Sequence, residues 1–182
     1  MKHLPNIISL ARILMVPVVV WLVVIGELGA AFWVFIAAGI SDAVDGFIAK
    51  RFDAVTEVGT YLDPVADKVL LVSTFVALGA AGDVPPWLVI LVVSRDVLIV
   101  GGILFSFALS LSVRARPSIL SKINTGAQMA LASVILAVQG MAWPMGAAAS
   151  LGTFVVGILT ALSGAQYVWR WSRVAFLEGA KG

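Results

Sequence analysis

Six apolar runs, each about 20 residues long, fill nearly the whole of this chain. They cover approximately residues 7–26, 29–50, 60–81, 86–109, 119–139 and 147–171. A run of that length matches the hydrocarbon thickness of a bilayer, and mean hydropathy of +1.07 rules out an ordinary soluble domain. In lipid every backbone N–H and C=O needs a partner within the protein, so runs this long predict helices. The breaks between them carry turn chemistry: Gly26-Glu27, the polar stretch 51–58, Gly82-Asp83-Val84-Pro85-Pro86, 112–117 and Trp143-Pro144. The expected fold is all-α, a polytopic six-transmembrane-helix bundle forming a single domain over residues 1–182. The first run follows a basic start, as in a signal peptide, but its length and the runs behind it predict a retained helix. Without cysteine the chain has neither disulfides nor thiolate metal ligands, and its one histidine, His3, is terminal.

Charge orients the bundle. In a six-span arrangement Lys2, Lys50, Arg51, Arg114, Arg116, Arg170, Arg173 and Lys181 fall on one side, while the opposite loops hold Glu27 and Asp83. The positive-inside rule then predicts that both termini are cytoplasmic; the expected location is a bacterial inner membrane. Trp33, Trp87 and Trp143 lie near the far-side ends, with Trp169 and Trp171 near the cytoplasmic end, as interfacial belts.

Against this background four carboxylates stand out. Asp42, Asp45, Asp63 and Asp67 are four of only ten acidic residues, and they sit inside or beside apolar runs. A carboxylate at membrane depth is costly and marks function. Asp42 and Asp45 are three apart near the end of the second span; Asp63 and Asp67 are four apart near the start of the third. Both spacings keep a pair on one helical face, and an antiparallel hairpin brings all four to one depth near the cytoplasmic surface. Gly39, Gly46 and Ala49 share the stripe of the first pair, and Gly59 that of the second, leaving room for close approach. Pro64 is expected in the first turn of its helix, where a missing N–H costs little. All-oxygen ligation of this kind suits Mg²⁺, Mn²⁺ or Ca²⁺. Four acids suffice for two metals, the arrangement that clamps attacking and leaving oxygens at phosphorus. An EF-hand does not match, because its ligands alternate within one loop. A membrane cation transporter is the rival from another class, although transporters place their sites near the midplane. The bland alternative pairs the acids with Lys50, Arg51, Lys68 or Arg95.

The pattern from Asp42 to Asp67, D-x-x-D-G-x-x-A-[basic]-x8-G-x3-D-x3-D, resembles the signature of the CDP-alcohol phosphatidyltransferases at Asp42, Asp45, Gly46, Ala49, Gly59, Asp63 and Asp67. Lys50 stands where that family usually has arginine, keeping the charge but not the bidentate fork. The resemblance implies a six-helix membrane enzyme that moves a phosphatidyl group from CDP-diacylglycerol to an alcohol and releases CMP. It implies two divalent cations, Mg²⁺ or Mn²⁺, on Asp42, Asp45, Asp63 and Asp67, with Asp67 also the general base. It implies donor contacts at Gly46, Ala49, Lys50 and Gly59, and a homodimer. The opening Leu4-Pro5-Asn6 through Ser9 and Arg12, followed by Pro17, is similar to the family's start. Ser94-Arg95-Asp96-Val97 and the segment from Pro117 to Thr125 look most like CMP-forming cardiolipin synthases, and bacterial phosphatidylglycerophosphate synthases are similar overall. The expected acceptor is therefore phosphatidylglycerol, with glycerol-3-phosphate the alternative. Membrane lipids are the other partners, and no nucleic acid is expected.

The remaining intramembrane polar residues divide between binding and packing. Arg95, Arg114, Lys122 and Asn124 are the candidate acceptor contacts, each weighed against a structural or snorkelling role. Arg95 and Asp96 are adjacent, so separate partners are expected for them. Gln128, Thr160, Ser163, Gln166 and Tyr167 are expected to form interhelical hydrogen bonds.

Overall fold

The computed structural model describes residues 4–52, 57–108, 118–141, 143 and 146–179, with side chains placed for 11–41, 68–102, 118–141, 143 and 147–173. Among these residues there are six helices and no strand: α1 (Leu4–Val24), α2 (Leu28–Phe52), α3 (Glu57–Ala81), α4 (Pro86–Ala108), α5 (Ile119–Gly140) and α6 (Gly146–Gly179). Each coincides with one of the six apolar runs. Among the described residues, two segments are long and apolar enough to cross a bilayer by themselves, Ile119–Gly140 and Ala147–Arg173. Among the residues with described side chains, α1, α2 and α3 contribute the apolar stretches Ala11–Val24, Leu28–Ser41 and Lys68–Ala81.

The helix ends follow from local chemistry. α1 and α3 close in the same way, on Gly26 (φ 82°) and Gly82 (φ 88°). In each, the glycine N–H bonds three residues back and the next N–H five back, Glu27 to Leu22 and Asp83 to Leu78. This is the Schellman arrangement, which needs a left-handed residue at the turn. Pro86 then opens α4 at a position where its missing N–H is harmless. Ser118 caps α5, its hydroxyl accepting from the Ser121 N–H at 3.1 Å. One expectation fails. α3 starts at Glu57, so Pro64 lies inside the helix rather than in its first turn. The helix continues through it and leaves the Thr60 carbonyl without its helical donor. Bundles tolerate such a break where neighbours re-satisfy the backbone.

Packing divides the bundle into two halves. α1 packs extensively on α3 and α2, while α6 packs on α5 and α4. α2 against α5 and a lighter α3–α4 contact join the halves. The α2–α5 crossing is so close that a Cβ on Gly140 would meet the backbone of Gly29. A shared apolar core runs through Val19, Phe35, Phe75, Leu78, Leu88, Leu136 and Val156. The outside is apolar as well: Leu14, Trp21, Ile90, Leu151, Phe154 and Ile158 are all exposed. Such a surface suits lipid. Trp33, Trp87, Trp143 and Trp169 are exposed too, and the Arg173 guanidinium lies 4.6 Å above the Trp169 ring.

Candidate active site on the α2–α3 hairpin

The backbone places Asp42 and Asp45 in the second half of α2, and Asp63 and Asp67 in the first half of α3. Gly46, Ala49 and Lys50 follow on α2, and Gly59 precedes the second pair on α3. All eight positions are helical, as the spacing requires. Their side chains, and the whole of Arg114, lie outside the described residues. The site is therefore framed by what surrounds it.

The frame is polar and buried. Lys68, the residue after Asp67, donates to Asp96 Oδ1 on α4 at 2.6 Å. The same carboxylate oxygen accepts from Arg95 Nη1 at 2.5 Å. Arg95 also donates from Nη2 to Ser121 Oγ on α5 at 2.5 Å and to Ser163 Oγ on α6 at 3.0 Å, with Nε reaching Ser163 at 3.3 Å. One network thus ties four helices. Arg95 and Asp96 are nearly inaccessible, whereas the Lys68 side chain is 29% exposed. The expectation of separate partners for Arg95 and Asp96 is corrected. The long guanidinium stem folds back to its neighbour's carboxylate, which serves two cations at once. Lys68 is 13 residues from the end of α3 at Ala81, and Asp42 is 14 from the start of α2 at Leu28. The network therefore sits at the backbone level of Asp42 and Asp67.

A second buried chain runs one turn deeper along α5. Gln128 Nε2 donates to Thr160 Oγ1 at 3.1 Å, and Thr160 donates to Asn124 Oδ1 at 2.9 Å. The interhelical bonding expected of Gln128, Thr160 and Ser163 is present. Asn124 Nδ2 and Gln128 Oε1 have no protein partner although both residues are fully buried. Lys122, on the first turn of α5, is exposed. Arg95, Lys122 and Asn124 therefore meet three different environments, and Arg95 is the one whose donors are taken up inside the bundle.

Arg12 was legible only as part of a familiar opening. Its side chain is 1% exposed on α1, the helix packed against both arms of the aspartate hairpin, and it is engaged there. A lone arginine in the first apolar run was the available signal, since a guanidinium at that depth is kept only with partners.

Comparison with known proteins gives this frame a lineage. The family model described as CDP-alcohol phosphatidyltransferase matches residues 2–169. A Schizosaccharomyces pombe protein named cardiolipin synthase (CMP-forming) / mitochondrial hydrolase fusion protein is 32% identical over 180 residues, 90% of this chain and 30% of that one. The human cardiolipin synthase (CMP-forming) is 31% identical over 150 residues, 74% of this chain and 50% of its own. A CDP-diacylglycerol–glycerol-3-phosphate 3-phosphatidyltransferase of Rickettsia typhi is 36% identical over 146 residues, 77% of this chain and 80% of its own. The chain spans half or less of the length of the first two of these relatives. With the aspartate pattern on two adjoining helices and the family match running over nearly its whole length, the chain belongs to the CDP-alcohol phosphatidyltransferase family.

Proposed function

We propose that this chain is an integral membrane phosphatidyltransferase that transfers a phosphatidyl group from CDP-diacylglycerol to an alcohol and releases CMP. The observation that carries this reading is the full aspartate pattern, Asp42 to Asp67, on α2 and α3 within a family match over residues 2–169. The donor set fits divalent metal: four carboxylates, spaced three and four apart on helices, offer hard oxygen ligands. Asp42, Asp45, Asp63 and Asp67 would hold two Mg²⁺ or Mn²⁺ ions. When bound, such ions neutralise charge on the donor pyrophosphate and on the departing phosphate.

The protein's own groups do the rest. Lys50 contacts the pyrophosphate, and Gly46, Ala49 and Gly59 let the nucleotide approach the helices. Asp67 takes the proton from the acceptor hydroxyl. The hydroxyl oxygen attacks the phosphorus that bears diacylglycerol, a new P–O bond forms, and the bridging P–O bond breaks with its electron pair leaving on CMP. Lys122, with Asn124 and Arg114, forms the acceptor side, while Arg95, whose donors go to Asp96, Ser121 and Ser163, supports it from inside the bundle. All six helices span the membrane with both termini and the site cytoplasmic, supported by the one-sided Lys and Arg distribution and by the apolar outer surface. The chain works as a homodimer in a bacterial inner membrane.

Phosphatidylglycerol is the proposed acceptor, on the Pro117–Thr125 segment and the cardiolipin synthases among the relatives. Glycerol-3-phosphate is the second reading, favoured by the Rickettsia typhi relative, which has the greater identity and is matched over more of its own length. The test supplies CDP-diacylglycerol with each acceptor separately and identifies the lipid by mass spectrometry. Cardiolipin from phosphatidylglycerol supports the first reading. Phosphatidylglycerophosphate from glycerol-3-phosphate, with no cardiolipin, replaces it by the second. Substrate ion flux without CMP release would favour the cation transporter.

A further inference from the structure

We infer that Lys68 and Asp96 are positioning residues: their ion pair clamps the α1–α3 half of the bundle to the α4–α6 half at the level of the reacting groups. The inference rests on the phosphatidyltransferase reading for its kinetic consequence, but the clamp itself is a property of the fold. α3 packs closely on α1 and only lightly on α4 and α5, so apolar contact alone holds it weakly to the second half. Lys68–Asp96 is an ion pair that crosses between the halves, at 2.6 Å. On the far side it is anchored: Asp96 is held by Arg95, and Arg95 by Ser121 of α5 and Ser163 of α6. Pull on Asp96 is therefore resisted by three helices. On the near side, Lys68 follows Asp67 directly, so the backbone that Asp96 holds in place also carries Asp67. An acceptor bound against α5 and a metal site carried on α2 and α3 belong to different halves. Their separation is set by whatever fixes one half on the other.

The two cations on Asp96 make the clamp separable from the fold. In Lys68→Met, Asp96 keeps Arg95 as its counter-charge, so no buried carboxylate is orphaned. What is lost is the charged link from α3 to α4 at the depth of the aspartates; the α2–α5 crossing at Gly29 and Gly140, near the opposite end, remains. The variant should fold, and its kcat should fall by about 100-fold, the scale of an ångström-level misplacement of reacting groups. Donor and acceptor KM should stay within about threefold of wild type, since no substrate contact is removed. Lys68→Arg, which keeps charge and reach, should restore most of the turnover. Because one link is cut in either case, Lys68→Met combined with Asp96→Asn should be no slower than the slower single variant.

The experiment measures kcat and KM of purified wild type and these variants from CMP release. In parallel, spin labels at Leu14→Cys on α1 and Ile158→Cys on α6 report the distance between halves in the otherwise cysteine-free chain; both positions are exposed. A broadened distance distribution in Lys68→Met, restored in Lys68→Arg and accompanied by the kcat loss, supports the clamp. An unchanged distribution overturns it, whatever the kinetics. A raised KM with unchanged kcat also overturns it and makes Lys68 a substrate ligand. If wild type releases no CMP while the distance distribution still broadens, the clamp stands as a structural link and the catalytic reading is what has failed.

Discussion

Asp42 and Asp67 are both carboxylates of one pattern, yet their proposed tasks predict different losses. Asp42→Asn removes a charged metal ligand and should weaken metal and CDP-diacylglycerol binding together. Asp67→Asn removes the proton acceptor and should abolish turnover while retaining more of the donor affinity. Calorimetric titration of the donor decides between them, and equal loss of binding in both variants would refute the role given to Asp67. Lys50→Ala should raise the KM for CDP-diacylglycerol, and Lys50→Arg should keep activity; unchanged kinetics in the alanine variant would leave Lys50 an interfacial anchor. At this scale the sequence was legible where chemistry is written in spacing. The three- and four-residue intervals between the acids fit the helices on which they lie, and four acids in apolar surroundings are the ground for the proposed cation site. The partners of single polar residues were less legible. That Asp96 would serve both Lys68 and Arg95 depends on how α3 sits beside α4, and no interval along the chain encodes it. Nor does spacing reveal the complete burial of Arg12.

At the level of helices, periodic runs and turn residues gave boundaries close to those observed, because Gly26, Gly82 and Pro86 act through local backbone geometry. Pro64 was misplaced for the complementary reason. A proline is tolerated both at a helix start and inside a supported bundle helix, and only the neighbours distinguish the two. The contacts between helices predict three further outcomes. Gly140→Val would drive a side chain into the Gly29 backbone and should destabilise the α2–α5 crossing by about 1–3 kcal/mol, read as a lower thermal midpoint in detergent. Thr160→Val would deprive Gln128 Nε2 of its acceptor and Asn124 Oδ1 of its donor, and should cost about 1–3 kcal/mol by the same measurement. Gln128→Leu removes a group whose Oε1 already has no protein partner, so it should cost less than Thr160→Val.

Viewed whole, the molecule is two three-helix halves with an apolar exterior and a polar layer at the depth of the aspartates. The activity proposed for this chain is metal-dependent phosphatidyl transfer. The most direct measurement is CMP release by the purified protein from CDP-diacylglycerol, with phosphatidylglycerol and with glycerol-3-phosphate, before and after chelation. The expected result is CMP in equal amount to a new phospholipid with one of the two acceptors, lost with chelator and regained with Mg²⁺ or Mn²⁺. CDP-diacylglycerol recovered intact with both acceptors, or full turnover in a metal-free chelated preparation, would contradict it.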